Sequence, residues 1–266
     1  MSPRRRSALP IVLVILVVIA AGAVLAIRLF GDEPAPEAAA KERAAPSTPP
    51  TTPTTQPPTS TAPADEAQPA LWPFRDLAEA RRWQVEEAPG GHSPWHGDAV
   101  ATALAFTTGY LGFADVDTVV SSEIEATDAV VEVGYQSENG RPAPAAALRL
   151  IRFGDGPEAP WEVVGTVDDT MSITEPAPDV EISSPVRIGG LISGVDENVR
   201  VQIRDPAAQA PIGQSCCQPA GGENSPWSVS VSYRGASGAT LTIVAATGGH
   251  VADVERFAVA GARPAS

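Results

Sequence analysis

Trp227-Ser228-Val229-Ser230-Val231-Ser232-Tyr233 alternates large apolar side chains with small polar ones and never breaks step. A period of two puts every apolar residue on one face of an extended chain, so this stretch predicts a half-buried β-strand. The same alternation recurs on either side. Val199, Val201 and Ile203 alternate with Arg200, Gln202 and Arg204. Leu241, Ile243 and Ala245 follow, and Phe257 and Val259 close the region. Upstream, Val180-Glu181-Ile182 leads through Ser183-Ser184-Pro185 to Val186 and Ile188, and Gly189-Gly190 reads as the next turn. Short strands separated by Gly, Pro and Asn turns predict an all-β sandwich over residues 177–262.

Residues 71–176 read differently. Leu71-Trp72-Pro73-Phe74 enters a helical pattern from Asp76 to Val85, with Leu77, Ala80 and Trp83 near one face. A second helix starts near Pro94 or Ala99 and ends at Leu111, with Val100, Ala103, Leu104, Thr107 and Leu111 as its stripe. Ser93 or Asp98 is placed to cap it. Ala129, Val131, Val133 and Tyr135 then alternate as a strand. Asn139-Gly140 marks a hairpin, because its two-residue turn requires positive φ at both positions. Ala145–Phe153 is the return strand, and Gly154-Asp155-Gly156-Pro157 turns into Trp161–Val167. Helices followed by an antiparallel meander predict an α+β domain.

Two resemblances follow from these elements. By its order of helices and strands alone, 71–176 resembles the cystatin-like folds, including the nuclear-transport-factor-two-like group. That likeness implies a curved sheet and helices around a pocket. The C-terminal third resembles the immunoglobulin-like domain of bacterial spore-germination proteins. The matching stretches are Ile182-Ser183-Ser184-Pro185-Val186-Arg187-Ile188-Gly189-Gly190 and Gly194-Val195-Asp196-Glu197-Asn198-Val199-Arg200-Val201, then the Trp227 strand, Gly238-Ala239-Thr240-Leu241-Thr242-Ile243-Val244, and Gly248-Gly249 leading to Phe257-Ala258-Val259. This resemblance implies a cell-envelope binding or assembly module, germination-related and without catalysis.

The N-terminus sets an expected topology. Arg4, Arg5 and Arg6 precede an uncharged apolar run from Ala8 to Ile27, and Asp32 and Glu33 follow it. Such a run is about 30 Å long as a helix, enough to cross a bilayer. The positive-inside rule then predicts a cytoplasmic tail (1–7), a transmembrane helix (8–29) and everything after it outside a cell membrane, as a single-pass protein. The small residues Ala21-Gly22-Ala23 leave a cleaved signal peptide as the rival reading. Residues 30–70 are rich in Pro and Thr and, after Phe30, contain no aromatic residue, the composition of a disordered, extended stalk. The expected fold class is therefore an N-terminal transmembrane helix, an α+β domain and an immunoglobulin-like β-sandwich.

Charge excludes one class of partner. The chain carries a formal net charge of -14, and 71–176 alone hold eighteen acidic and six basic side chains. Phosphate backbones would be repelled, so no nucleic-acid partner is expected. The expected partners are the membrane, through 8–29, and cell-wall polymer or another envelope protein.

Few residues carry candidate chemistry. Cys216-Cys217 lies in an expected loop between Ile212 and Pro226. Outside the cytoplasm it reads as a vicinal disulfide, a strained and reducible ring, with free or intermolecular thiols and a metal site as alternatives. His92 and His96 are four residues apart, but Gly91, Pro94 and Gly97 oppose a helix there, and no Glu completes a hydrolase motif. If 71–176 enclose a pocket, His96, Asp98 and Tyr110 are the residues to line it. Asp115-Val116-Asp117 and Asp168-Asp169 lack calcium-loop spacing and read as solvated turns. The Trp residues read first as core and second as a sugar-stacking face. No catalytic residue, cofactor or metal is expected. The reading is a non-enzymatic, membrane-anchored envelope protein that binds wall polymer or an envelope partner. The alternative is a small-ligand sensor or weak enzyme with a pocket in 71–176.

Overall fold

Residues 69–194 and 196–265 are described by a computed structural model, and they belong to one compact unit, Thr59–Ser266. The expected tail, transmembrane helix and nearly all of the stalk (1–68) lie outside the described residues.

Leu71 and Trp72 run along the edge of the first sheet. The Leu71 N–H donates to the Val163 carbonyl at 2.9 Å, and the Val163 N–H donates to the Trp72 carbonyl at 2.8 Å. Asp76 then caps α1 (Leu77–Arg82) by accepting the Glu79 N–H at 2.8 Å, and the helix continues as a π-helical turn over Trp83–Glu87. Asp98 caps α2 (Ala99–Leu104) by accepting the Ala101 N–H at 2.9 Å. That helix also widens into a π-helical segment, Ala105–Leu111, and ends at Gly112 in the left-handed region. Of the expected stripe, Ala103, Thr107 and Leu111 are buried, and Ala99 and Phe106 join them. Val100 and Leu104 of that stripe are half-buried and pack against the same core.

Four antiparallel strands follow in sequence order: β1 (Thr118–Ile124), β2 (Asp128–Gln136), β3 (Pro142–Arg152) and β4 (Trp161–Thr166). Ala129, Val131, Val133 and Tyr135 all point into the core. The β2–β3 turn is one residue longer than the sequence predicts. Ser137 and Arg141 close it, Gly140 alone has positive φ (75°), and Asn139 accepts the Arg141 N–H through Oδ1 at 3.0 Å.

The rest of the chain forms two facing sheets. One is ordered β5 (Glu181–Ile182), β11 (Arg256–Pro264), β10 (Leu241–Thr247), β7 (Asp196–Arg204), β8 (Gly213–Gly221). The other pairs β6 (Val186–Ile192) with β9 (Ser225–Val231). β5 joins β11 in parallel; the other pairings are antiparallel. Gly189-Gly190 is not a turn. It lies inside β6, where a Cβ on Gly190 would stand 1.8 Å from the Ser172 carbonyl oxygen. The glycines let the incoming 171–175 segment hydrogen-bond across that face.

The two halves share a core. The inner face of the five-stranded sheet packs on β6 and β9 through Ile203, Leu241, Ile243, Ala245, Ala258 and Trp227. The outer face of β10 and β11 offers Val244, Ala246, Phe257 and Val259 to the core built by α2, the π-helical segment and β1–β4. The boundary expected at 176/177 falls between β4 and β5, within this one packed unit.

The expected fold class needs correcting at its first element. The described residues are mostly β-sheet, with two α-helices of 6 residues each. No helix among them is long and apolar enough to cross a membrane. A six-residue helix rises only about 9 Å, against roughly 30 Å of bilayer hydrocarbon. The transmembrane helix expected over 8–29 and the single-pass cell-membrane localisation therefore find no support among the described residues.

Candidate functional site

The expected pocket residues do not converge. His96 sits in an aromatic box, edge-on to Trp95 (centroids 3.8 Å) and Phe74 (4.8 Å) and tilted against Trp83 (4.9 Å). Burial lowers its pKa to about 4, and Nδ1 has no hydrogen-bond partner. Asp98 is exposed and is used as the cap of α2. Tyr110 turns the other way and donates to Thr242 Oγ1 at 3.2 Å on β10, while the Arg204 guanidinium stands 5.4 Å from its ring. Burial raises the Tyr110 phenol pKa. What joins His96 to Tyr110 is a row of rings: Trp95 stacks on Trp72 at 5.1 Å and Trp72 on Tyr110 at 5.9 Å.

The space between α2 and the four-stranded sheet is filled by the protein's own side chains, among them Phe106, Val131, Leu148, Leu150 and Trp161. The interior pocket implied by the cystatin-like resemblance is therefore filled, and the concave surface that 71–176 does offer is an outer cleft, which His96 helps to line. Of the concave surfaces among the described residues, two have aromatic walls.

The first is an open cleft of about 280 Å³ beside α1. Its walls are Trp72, Trp83 and Trp95, and its rim carries Glu79, Arg82 and Glu87. Trp83 is buried, whereas Trp72 and Trp95 are half-exposed. Glu79 is held by Arg75 at 3.1 Å, and that hydrogen bond lowers its carboxyl pKa. Beneath the cleft's Trp72–Phe74 wall lies Glu162 of β4, wholly buried. Its Oε2 accepts the Phe74 N–H at 3.2 Å, and its Oε1 has no partner. Burial pushes this carboxyl well above the ordinary carboxylate range, against the pull of the Phe74 and Trp72 N–H groups.

The second is a cavity of about 350 Å³ between the halves. The loop after Gly112 forms one side, and the outer faces of β7 and β10 form the other. Arg200, on β7, reaches it and donates from Nη2 to the Asp253 carbonyl.

No protein-family model, curated protein or solved structure matches this chain.

Cys216 and Cys217 are joined by a disulfide, with Cα atoms 3.7 Å apart. They lie in strand β8, not in the expected loop, and both are exposed. Val199 pairs with Gln218 and Val201 with Ser215, so the two cysteines stand opposite Arg200 alone. The pair is a β-bulge, with Cys217 in the left-handed region at φ 72°. Among the described residues no group of three or more His, Cys, Asp or Glu side chains is arranged to hold a metal. The sequence reading missed Arg200, Asp253 and Glu162. A usable signal existed for the first: Arg200, Gln202 and Arg204 put three long polar side chains on one strand face, which suits a face that is covered but not dry.

Proposed function

We propose that this chain is a non-catalytic cell-envelope binding protein that takes wall polymer in the cleft beside α1. The carrying observation is the pair Trp72 and Trp95, stacked at 5.1 Å, half-exposed, and flanked by Glu79, Arg82 and Glu87 in an open cleft. With Trp72 stacked between Trp95 and Tyr110, the half-exposed Trp95 is the indole left to lie against the apolar face of a pyranose sugar, while carboxylates and a guanidinium take its hydroxyls, so the cleft has both parts of a glycan site. The net charge of -14 further favours an uncharged polymer over nucleic acid. The resemblance of the C-terminal strands to the immunoglobulin-like domain of spore-germination proteins supports an envelope role. The strand order β5-β11-β10-β7-β8 facing β6-β9 is compatible with it.

Co-sedimentation of the purified chain with isolated cell walls tests the reading. Pelleting should persist at high salt, and Trp95→Ala should weaken it about tenfold with the circular dichroism spectrum unchanged. A chain that stays in the supernatant at low and high salt, or a Trp95→Ala variant that pellets like the parent, would overturn the glycan reading. The first of those results would point to an envelope protein as the partner.

A further inference from the structure

The cavity between the halves has a different chemistry from the aromatic cleft. Its floor is apolar: Phe113, Val244 and Val254 line it, and Phe113 is braced edge-on against Phe257 with centroids 5.4 Å apart. It stays open because the helical segment ends at Gly112 and the chain turns away with Ala114, while β10 offers only Ala246 at the facing position. At about 350 Å³ it is at the small end of the range for ligand sites, and it lies where two packed layers meet, a usual place for one.

Its charged groups are one guanidinium, Arg200, and two carboxylates, Asp115 and Asp253. They line the same cavity, yet Arg200 forms no ion pair with either; its hydrogen bond goes to the Asp253 main-chain carbonyl. Opposite charges are thus held apart around an apolar floor. A ligand that satisfies all three surfaces carries a carboxylate for Arg200, an ammonium for Asp115 or Asp253, and an apolar body for Phe113, Val244 and Val254. The geometry points to a zwitterionic ligand of the α-amino-acid type, free or as the ends of a short peptide, with an apolar side chain. Arg200 accounts for the carboxylate end, since a planar guanidinium offers two parallel donors to it. The acidic surface accounts for the other end, because it draws an ammonium toward the mouth and repels a simple anion.

Calorimetric titration of the full chain tests this with L-valine, L-leucine, L-alanyl-L-alanine, valinamide and N-acetylvaline as probes. Valine, leucine or the dipeptide should bind between about 10 µM and 1 mM, the range open to so small a ligand. The dipeptide binding more tightly than the free amino acids identifies a peptide end as the occupant; the reverse identifies a free amino acid. Valinamide, which lacks the carboxylate, and N-acetylvaline, which lacks the ammonium, should each bind at least about tenfold more weakly. Arg200→Gln should lose binding by a similar factor. Its side chain is exposed, so its melting temperature should stay close to the parent's. Asp115→Asn should discriminate less between valine and N-acetylvaline. The proposal fails if none of the probes binds at about 20 mM, a concentration at which even millimolar affinities saturate. It also fails if valinamide and N-acetylvaline bind as valine does, or if Arg200→Gln binds unchanged.

Discussion

β10 and β8 belong to the same sheet and have opposite fates. All seven residues of β10 are buried, Thr242 and Thr247 included, whereas β8 has one buried residue, Gly213, and exposes both of its cysteines. Composition contributes to this, since Leu241-Thr242-Ile243-Val244-Ala245-Ala246-Thr247 is far more apolar than Gly213-Gln214-Ser215-Cys216-Cys217-Gln218-Pro219-Ala220-Gly221. Position contributes more. β10 lies between β11 and β7, with β6 and β9 on one face and the helical half on the other. β8 lies at the edge, next to β7 alone in the ladder. A strand's burial is set by how many layers cover it, and a period of two reports only the first of them.

The sharpest way to break this contrast is to cut into each face of the central pair of strands. Ile243→Ala removes packing from the inner face and Phe257→Ala from the outer one. Each should cost about 2–5 kcal/mol. If the halves are one cooperative unit, both variants should shift a single urea transition. Two separate transitions for Phe257→Ala would show that the outer face is a dispensable contact.

β4 sharpens the comparison at the next level. Like β10 it is covered on both faces, but it carries Glu162 there. The folded state raises this carboxyl's pKa above its ordinary value of 4.5, so it keeps a proton that the unfolded chain releases. Stability from this group is complete below pH 4.5 and declines as pH rises through the folded value. Glu162→Gln should therefore match the parent in acid and exceed it at pH 7 to 8, by thermal melts across that series. A parent as stable as the variant at pH 8 would contradict the assignment.

The smallest effect is expected at β8. Its disulfide closes a loop between neighbours in sequence, which constrains the unfolded chain least, and both side chains are exposed. Replacing both cysteines by serine should change stability by no more than about 1 kcal/mol in a urea titration. A larger loss would mean that the bulge opposite Arg200 depends on the cross-link.

Local chemistry was legible from the sequence where one neighbour decides the outcome. The alternation of Ala129, Val131, Val133 and Tyr135, the capping role of Asp98, and the strands around Val201 and Trp227 follow from spacing alone. The adjacency of Cys216 and Cys217 suggested their bond, but not that it lies in a strand. The turn read into Gly189-Gly190 failed because glycine also serves where another backbone passes close, and only the 171–175 segment shows which use applies.

The candidate sites were less legible. His96 and Tyr110 were singled out for one pocket, and the row Trp95–Trp72–Tyr110 separates them. Arg200, Asp115 and Asp253 are scattered through the chain and meet only because the outer face of β7 and β10 is covered by the loop after Gly112. The sequence by itself determined the strands around Val131, Val201, Trp227 and Ile243, the two candidates for the α2 cap, the acidic charge and the cysteine pair, since each depends on residues a few positions apart. Only the tertiary structure decided that β10 is covered twice, that Glu162 is entombed and that a charged cavity opens between the halves. Those outcomes depend on which surfaces meet, and contacts between distant segments leave no period in the chain that makes them.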